Sequence, residues 1–256
     1  MGVMSSKHDR YHRFVYRHVD RYIVITKRLH EEARRFLPMP PEDIHLLYYG
    51  VPEPSSSARQ GHPEFLSRSG LEAPGIKVAL FGRIARVKGQ HLLVEAAETL
   101  MARGCDMRAA LIGGIVDQAY FDELMARIDS KGLSEHVRYL GFIEDPISVM
   151  GCFDLVVLTT DTETFGLVIA EAMRAGTAVI GTNAGGVPEM IKHGDTGLLI
   201  EPGDAAGLAD AIERLATDPP LRERLAACGK AFADEHFSEP RHFEGLHTIF
   251  ESVLSE

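Results

Sequence analysis

The chain has 256 residues, 45% hydrophobic and 25% charged, with a formal net charge of −10. That is the composition of a folded globular protein, and the acid excess argues against nucleic acid as a main partner. No run approaches the roughly 18–20 apolar residues that a membrane-spanning helix needs, and the three widely spaced cysteines, Cys105, Cys152 and Cys228, suggest neither a disulfide scaffold nor a zinc site.

The opening residues MGVMSSKHDR lack the apolar core of a secretory leader. Gly2 and Ser6 fit the short N-myristoylation pattern, which chance matches readily. Residues 1–36 hold nine Lys and Arg against four Asp and Glu, whereas the remainder holds 18 against 33. Arg10, Arg13, Arg17 and Arg21 recur there at helical spacing, interleaved with Tyr11, Phe14, Val15, His18 and Tyr22. One reading is a solvated helix face. The other is a basic amphipathic segment within residues 7–35 that meets an anionic membrane surface or an acidic partner. With unpaired cysteines, the expected location is the cytoplasm, with peripheral membrane contact under the second reading.

Short β-rich runs follow: YIVIT (22–26), IHLLYY (44–49), KVALFG (77–82), RAALIGG (108–114), VRYLG (137–141), DLVVLT (154–159), AVIGT (178–182) and GLLIE (197–201). Helical periodicity fills 88–103, 117–131, 166–175, 204–217, 219–235 and 239–254. VALF and LVVL are apolar on both faces, as parallel strands covered on both sides must be. The alternation predicts an α/β fold, a Rossmann-like doubly wound parallel sheet that binds ligands beyond the carboxyl ends of its strands. The Pro-, Ser- and Gly-rich stretch 51–75 interrupts the pattern. Three parts result: a segment 1–52 too small for a core of that kind, a linker 53–75, and the Rossmann-like domain with its carboxy-terminal helices, 76–256.

Three stretches could carry chemistry. FGRIARVKGQ (81–90) follows a predicted strand and brings Gly82, Arg83, Arg86 and Lys88 to its carboxyl end. It is neither GxxxxGK[ST] nor GxGxxG, but a guanidinium and an ammonium there suit phosphate oxygens; the bland reading is a solvated loop. ETFGLVIAE (163–171) follows another strand. Its helix should start near Phe165–Gly166, where Gly166 lets a ligand approach and the first-turn N–H groups form an anion site. Glu171 falls inside an apolar helix, where an unpaired carboxylate costs several kcal/mol. Ribose hydroxyls would satisfy it, as would an ion pair with Arg174 at i+3. Glu163 reads as a ligand-facing carboxylate, with a loop carboxylate capping the helix as the alternative, and Asp161-Thr162-Glu163 is a weak metal-binding triplet. GTNAGGVPEMIKHGDTGLLIEPGD (181–204) reads as strand, tight turn at Gly185-Gly186 and helix start.

FGRIARVKG, HVRYLGFIED, ETFGLVIAEAMRAGTAVIGTNAGGVPEMI and GDTGLLIEPGD, in this order, resemble the carboxy-terminal donor-binding domain of GT-B fold retaining glycosyltransferases, the glycogen-synthase-like, E-x7-E, group 1 enzymes. The resemblance covers about residues 20–250, and its glutamate pair together with the G-R…K-G element is specific. It implies that Arg83 and Lys88 hold the donor diphosphate, with Gly82 also in the donor-binding site, and that the backbone of Thr164, Phe165, Gly166 and Leu167 reaches sugar and phosphates. It implies that Glu163 faces the transferred sugar, that Glu171 takes the ribose hydroxyls, and that Gly141, Phe142 and Ile143 lie beside the nucleobase. Catalysis would rest on Glu163, Arg83 and Lys88, with the nucleoside diphosphate sugar as substrate, no cofactor and no required metal. The sugar, the base and the acceptor are not specified, the acceptor being a sugar, a lipid-linked sugar or a small molecule.

The resemblance also implies a second, acceptor-binding Rossmann-like domain, of which residues 1–52 match only the last elements. A truncated enzyme, a split enzyme with an acceptor-domain partner chain, and a nucleotide-sugar binding module all fit. A nucleotide-sugar 2-epimerase shares the fold, but the E-x7-E spacing with GRIARVKG favours a transferase.

Overall fold

A computed structural model describes residues 6–54 and 62–255. Gly2 of the acylation pattern and residues 55–61 of the expected linker lie outside them. The chain divides into two compact units, Met1–Pro52 with Asp234–Glu256, and Glu53–Ala233.

In the first unit, helix α1 (Arg10–Tyr16) starts on Asp9, whose carboxylate accepts the Tyr11 and His12 amides. Strand β1 (Tyr22–Val24) leads to α2 (Lys27–Phe36), capped by the Thr26 hydroxyl, and then to β2 (Ile44–Leu46). The two strands pair in parallel, Tyr22 opposite Ile44. Val24, Ala33, Leu37, Met39 and Ile44 make a small core. The chain returns to this unit at its end, which corrects the expected boundary of 76–256. The Val51 amide donates to the Phe237 carbonyl at 2.7 Å, and Phe237 meets Tyr48 edge-on. His242 Nδ1 lies 2.7 Å from the Tyr48 carbonyl, and Arg21 Nε donates to Ser252 Oγ. The sequence break at 51–75 concealed this return, because contacts across some 190 residues leave no periodic signal.

The second unit opens with α3 (His62–Arg68), inside the expected linker. Phe65 meets Phe153 edge-on and Leu71 is fully buried, so apolar contacts order a stretch whose composition reads as loop. Six parallel strands follow: β3 (Ile76–Phe81), β4 (Met107–Ile112), β5 (Val137–Tyr139), β6 (Leu155–Leu158), β7 (Ala178–Thr182) and β8 (Leu198–Ile200). Their order is β5-β4-β3-β6-β7-β8. The helices between and after them are α4 (Gln90–Ala102), α5 (Gln118–Ser130), α6 (Ile147–Met150), α7 (Leu167–Arg174), α8 (Val187–Met190), α9 (Ala205–Thr217) and α10 (Pro219–His236), while α11 (Glu239–Leu254) belongs to the first unit.

The strand order is that of a dinucleotide-binding fold, and it reverses between β3 and β6. Val78, Leu80, Leu111, Val157 and Ile180 face a core shared with α4, α5 and α9. The alternate residues Ala79, Ala110, Val156 and Val179 are equally buried, so both faces of the sheet are covered, as the runs of apolar residues required. Cys105, Cys152 and Cys228 are free thiols, and burial pushes that of Cys152 up to about 11.

Candidate functional site

The carboxyl ends of β3 and β6, flanking the reversal of strand order, carry the two stretches singled out by sequence. After β3 the chain runs through Gly82 and Arg83 into a single 3-10 turn, Arg86–Lys88, and enters α4 through Gly89. Gly89 has φ +71°, and a Cβ there would lie 2.4 Å from the Thr159 carbonyl oxygen, so only glycine fits between this loop and the end of β6.

The loop is held from below. The Thr159 hydroxyl shares its proton between the carbonyls of Lys88 and Gly89, and that of Thr160 lies within hydrogen-bonding distance of the carbonyls of Val87 and Thr162. Thr182, at the end of β7, does the same for Leu158 and Thr160. All three threonines are buried. Gln90 is fully buried, and its Nε2 donates to the Arg83 carbonyl at 2.9 Å. None of these four stood out in the sequence. The available signal was threonine at the carboxyl ends of β6 and β7, where a hydroxyl competes well for loop carbonyls.

Three cations were candidates, and the structure separates them. Arg86 turns away, pairing with Glu123 and lying 4.9 Å over the Tyr120 ring. Lys88 turns inward: its Nζ lies 3.1 Å from Glu163 Oε2, with both side chains largely buried. Arg83 is exposed, and its guanidinium has no partner among the described residues.

Glu163 is fixed on both oxygens, since Oε1 accepts the Thr164 amide at 3.0 Å. Its backbone is fixed as well. The Gly186 amide donates to the Glu163 carbonyl at 3.1 Å, and a Cβ on Gly185, which has φ +60°, would lie 1.7 Å from that oxygen. The glycine pair expected only to turn the chain thus holds the Glu163 loop. Within the Asp161-Thr162-Glu163 triplet, Glu163 is already engaged by a cation. Among the described residues no three His, Cys, Asp or Glu side chains converge as metal ligands.

Helix α7 begins at Gly166, in the left-handed conformation with φ +94°. A Cβ there would meet the Met190 side chain at 2.6 Å, so this glycine serves local packing as well as close approach. No side chain caps the helix; within its first turn the Ile169 amide donates to the Gly166 carbonyl at 2.8 Å, which leaves the amides of Leu167 and Val168 without an intrahelical acceptor. Phe165 is buried, which leaves only its backbone to face a ligand, whereas Leu167 beside it is exposed.

Glu171 lies one turn further along α7. It is half-buried and has neither ion pair nor hydrogen bond among the described residues, so it does not pair with Arg174. Burial first, and then the negative charge of Asp145, raise its pKa above the ordinary carboxylate value. Asp145 belongs to the loop that leaves β5 through Gly141, Phe142 and Ile143, so the far end of that loop lies near Glu171. Gly141 accepts the Gly113 amide at 2.8 Å, and the Phe142 ring is 75% exposed with no ring partner among the described residues.

An exposed guanidinium, a lysine, an uncapped helix start and a half-buried carboxylate without a partner among the described residues therefore follow the two strands that flank the reversal of strand order. Fold and site together define a Rossmann-like nucleotide-binding domain. The chain belongs to the glycosyl transferases group 1 family, whose model matches residues 64–232. It is 34% identical over 208 residues to the alpha-D-kanosaminyltransferase of Streptomyces kanamyceticus, covering 80% of this chain and 53% of that protein. It is 30% identical over 181 residues to the N-acetyl-alpha-D-glucosaminyl L-malate synthase of Bacillus anthracis, covering 71% and 46%. Among solved structures, Anabaena HepE in complex with UDP superposes with a TM-score of 0.85 at 25% identity, over 98% of this chain and 70% of that one. The chain spans about half the length of the two curated relatives.

Proposed function

We propose that this chain is the donor-binding half of a retaining glycosyltransferase, which takes a sugar from a nucleoside diphosphate sugar. The observation that carries the reading is Glu171: a half-buried carboxylate with no partner among the described residues, one helical turn beyond an uncapped helix N-terminus. A ribose diol would donate to it while the attached diphosphate meets the amides of Gly166 and Leu167. Arg83 and Lys88 close on the diphosphate from the β3 side, and the loop Gly141–Ile143 borders the base.

In this reading Glu163 faces the transferred sugar. Both its oxygens already accept hydrogen bonds, which makes it a weak nucleophile and a good orienting acceptor for sugar hydroxyls. Its charge also lies where positive charge would grow at the anomeric carbon. Rate acceleration then comes from positioning and from stabilising the diphosphate leaving group by Arg83, Lys88 and backbone N–H groups. The two cations serve the leaving group, so the proposal needs no divalent metal. The acceptor is left open.

Titration calorimetry with UDP, GDP and ADP, each with and without magnesium, tests the reading. The complex of HepE with UDP makes UDP the first to try. Saturable binding of one nucleotide, equal with and without the metal, is expected. Absence of binding by all three to a folded sample would refute it.

A further inference from the structure

A second surface lies in the first unit, apart from any residue of the donor site. Every described residue of α1 is at least partly exposed, and none is buried. Tyr11 is 71%, Phe14 55% and Val15 40% exposed. At about 100° per residue, these three share one arc of the helix and Arg10, Arg13 and Arg17 the adjoining arc. The three arginines are exposed, and among the described residues none pairs with a carboxylate. Arg17 instead lies 4.3 Å over the Phe14 ring. Asp9 is occupied by the helix amides and by His12, which leaves Asp20 as the nearest uncommitted acid in sequence. The Lys7 amide donates to the Phe36 carbonyl at 2.9 Å, setting the start of this segment against the end of α2, where Arg34 and Arg35 are also exposed.

We propose that this face docks on an anionic lipid bilayer. Uncompensated cations alone would suit any polyanion. The adjoining Tyr11, Phe14 and Val15 distinguish the occupants, because a bilayer interface takes up apolar and aromatic side chains beside arginines at headgroup level, whereas a soluble polyanion leaves them in water. The charge distribution agrees, since residues 1–36 are basic in a chain that is otherwise strongly acidic. Among the described residues no helix is long and apolar enough to cross a membrane, so the contact is peripheral.

The test is cosedimentation of the chain with phosphatidylcholine vesicles carrying increasing phosphatidylglycerol. Bound protein should rise with the anionic fraction and fall with salt. The triple variant Arg10→Glu, Arg13→Glu, Arg17→Glu should bind about tenfold less or weaker still. The triple arginine-to-lysine variant should bind like the wild type, because a lipid surface reads charge and not the bidentate guanidinium. Phe14→Ala should weaken what binding survives at high salt. An unchanged thermal melt and nucleotide titration of the charge-reversed variant would show that its fold and donor site are intact. The proposal fails if anionic vesicles do not bind the wild type, or if binding ignores phosphatidylglycerol or the charge reversal. It fails equally if heparin binds as tightly as vesicles and Phe14→Ala changes neither, the pattern of an acidic macromolecular partner.

Discussion

Glu163 has both carboxylate oxygens engaged, by Lys88 Nζ and the Thr164 amide, whereas Glu171, eight residues on and half-buried, has no partner among the described residues. The first end of this stretch is built into the free protein, down to the glycine pair that grips its backbone. The second is left incomplete, at a cost in stability that a hydroxyl-bearing ligand would remove. Such a broken local rule is expected where binding, not folding, has set the residue.

The largest effect should come from the built end. Gly185→Ala places a methyl on the Glu163 carbonyl and strains a left-handed backbone. It should lower unfolding stability by about 3 kcal/mol, read from the urea midpoint. An unmoved midpoint would mean that the Glu163 loop is not held as described. Next, Lys88→Ala removes a charged donor from the diphosphate and leaves Glu163 without its cation. Nucleotide affinity should fall by about 2–3 kcal/mol in calorimetry.

The incomplete end should respond in two opposite directions. Glu171→Gln should weaken nucleotide binding by about 1–2 kcal/mol and yet raise the melting temperature of the free protein near pH 7. The sign follows from the raised pKa. Below the ordinary carboxylate range Glu171 is protonated in both folded and unfolded states and costs nothing. As pH rises through its folded-state pKa, the full penalty of the buried charge develops. The gain from glutamine should therefore be present near neutrality and vanish in acid, and thermal melts across pH would show it. The smallest effect belongs to Arg86→Ala. Because Arg86 pairs with Glu123 at the surface, stability should move by only about 0.5 kcal/mol and nucleotide affinity not at all.

Much of this was legible in the sequence. The strand AVIGT at 178–182 coincides with β7, and the helix at 239–254 has the bounds of α11. Buried parallel strands and amphipathic helices write their periods directly into residue order. Arg83, Lys88 and Glu163 were visible because they follow apolar strands, and Glu171 because it interrupts an apolar helix. Their supports were not. Thr159, Thr160, Thr182 and Gln90 act through hydrogen bonds to backbone carbonyls, and any short polar residue at a loop looks the same in one dimension. Gly185 reads as a turn until the chain 22 residues earlier is folded against it. Helix α3 was hidden by a Pro- and Ser-rich surrounding, and the return of residues 234–256 to the first unit by its distance along the chain.

The most direct test of the account is a thermodynamic cycle between the ribose and Glu171. Wild type and Glu171→Gln would each be titrated with the nucleoside diphosphate that binds and with its 2′-deoxy analogue. If the Glu171 carboxylate takes the ribose diol, removing the 2′-hydroxyl should weaken binding to the wild type by about 1–2 kcal/mol and leave the variant nearly unaffected. Equal losses in both proteins, or none in either, would contradict the assignment of Glu171 to the ribose.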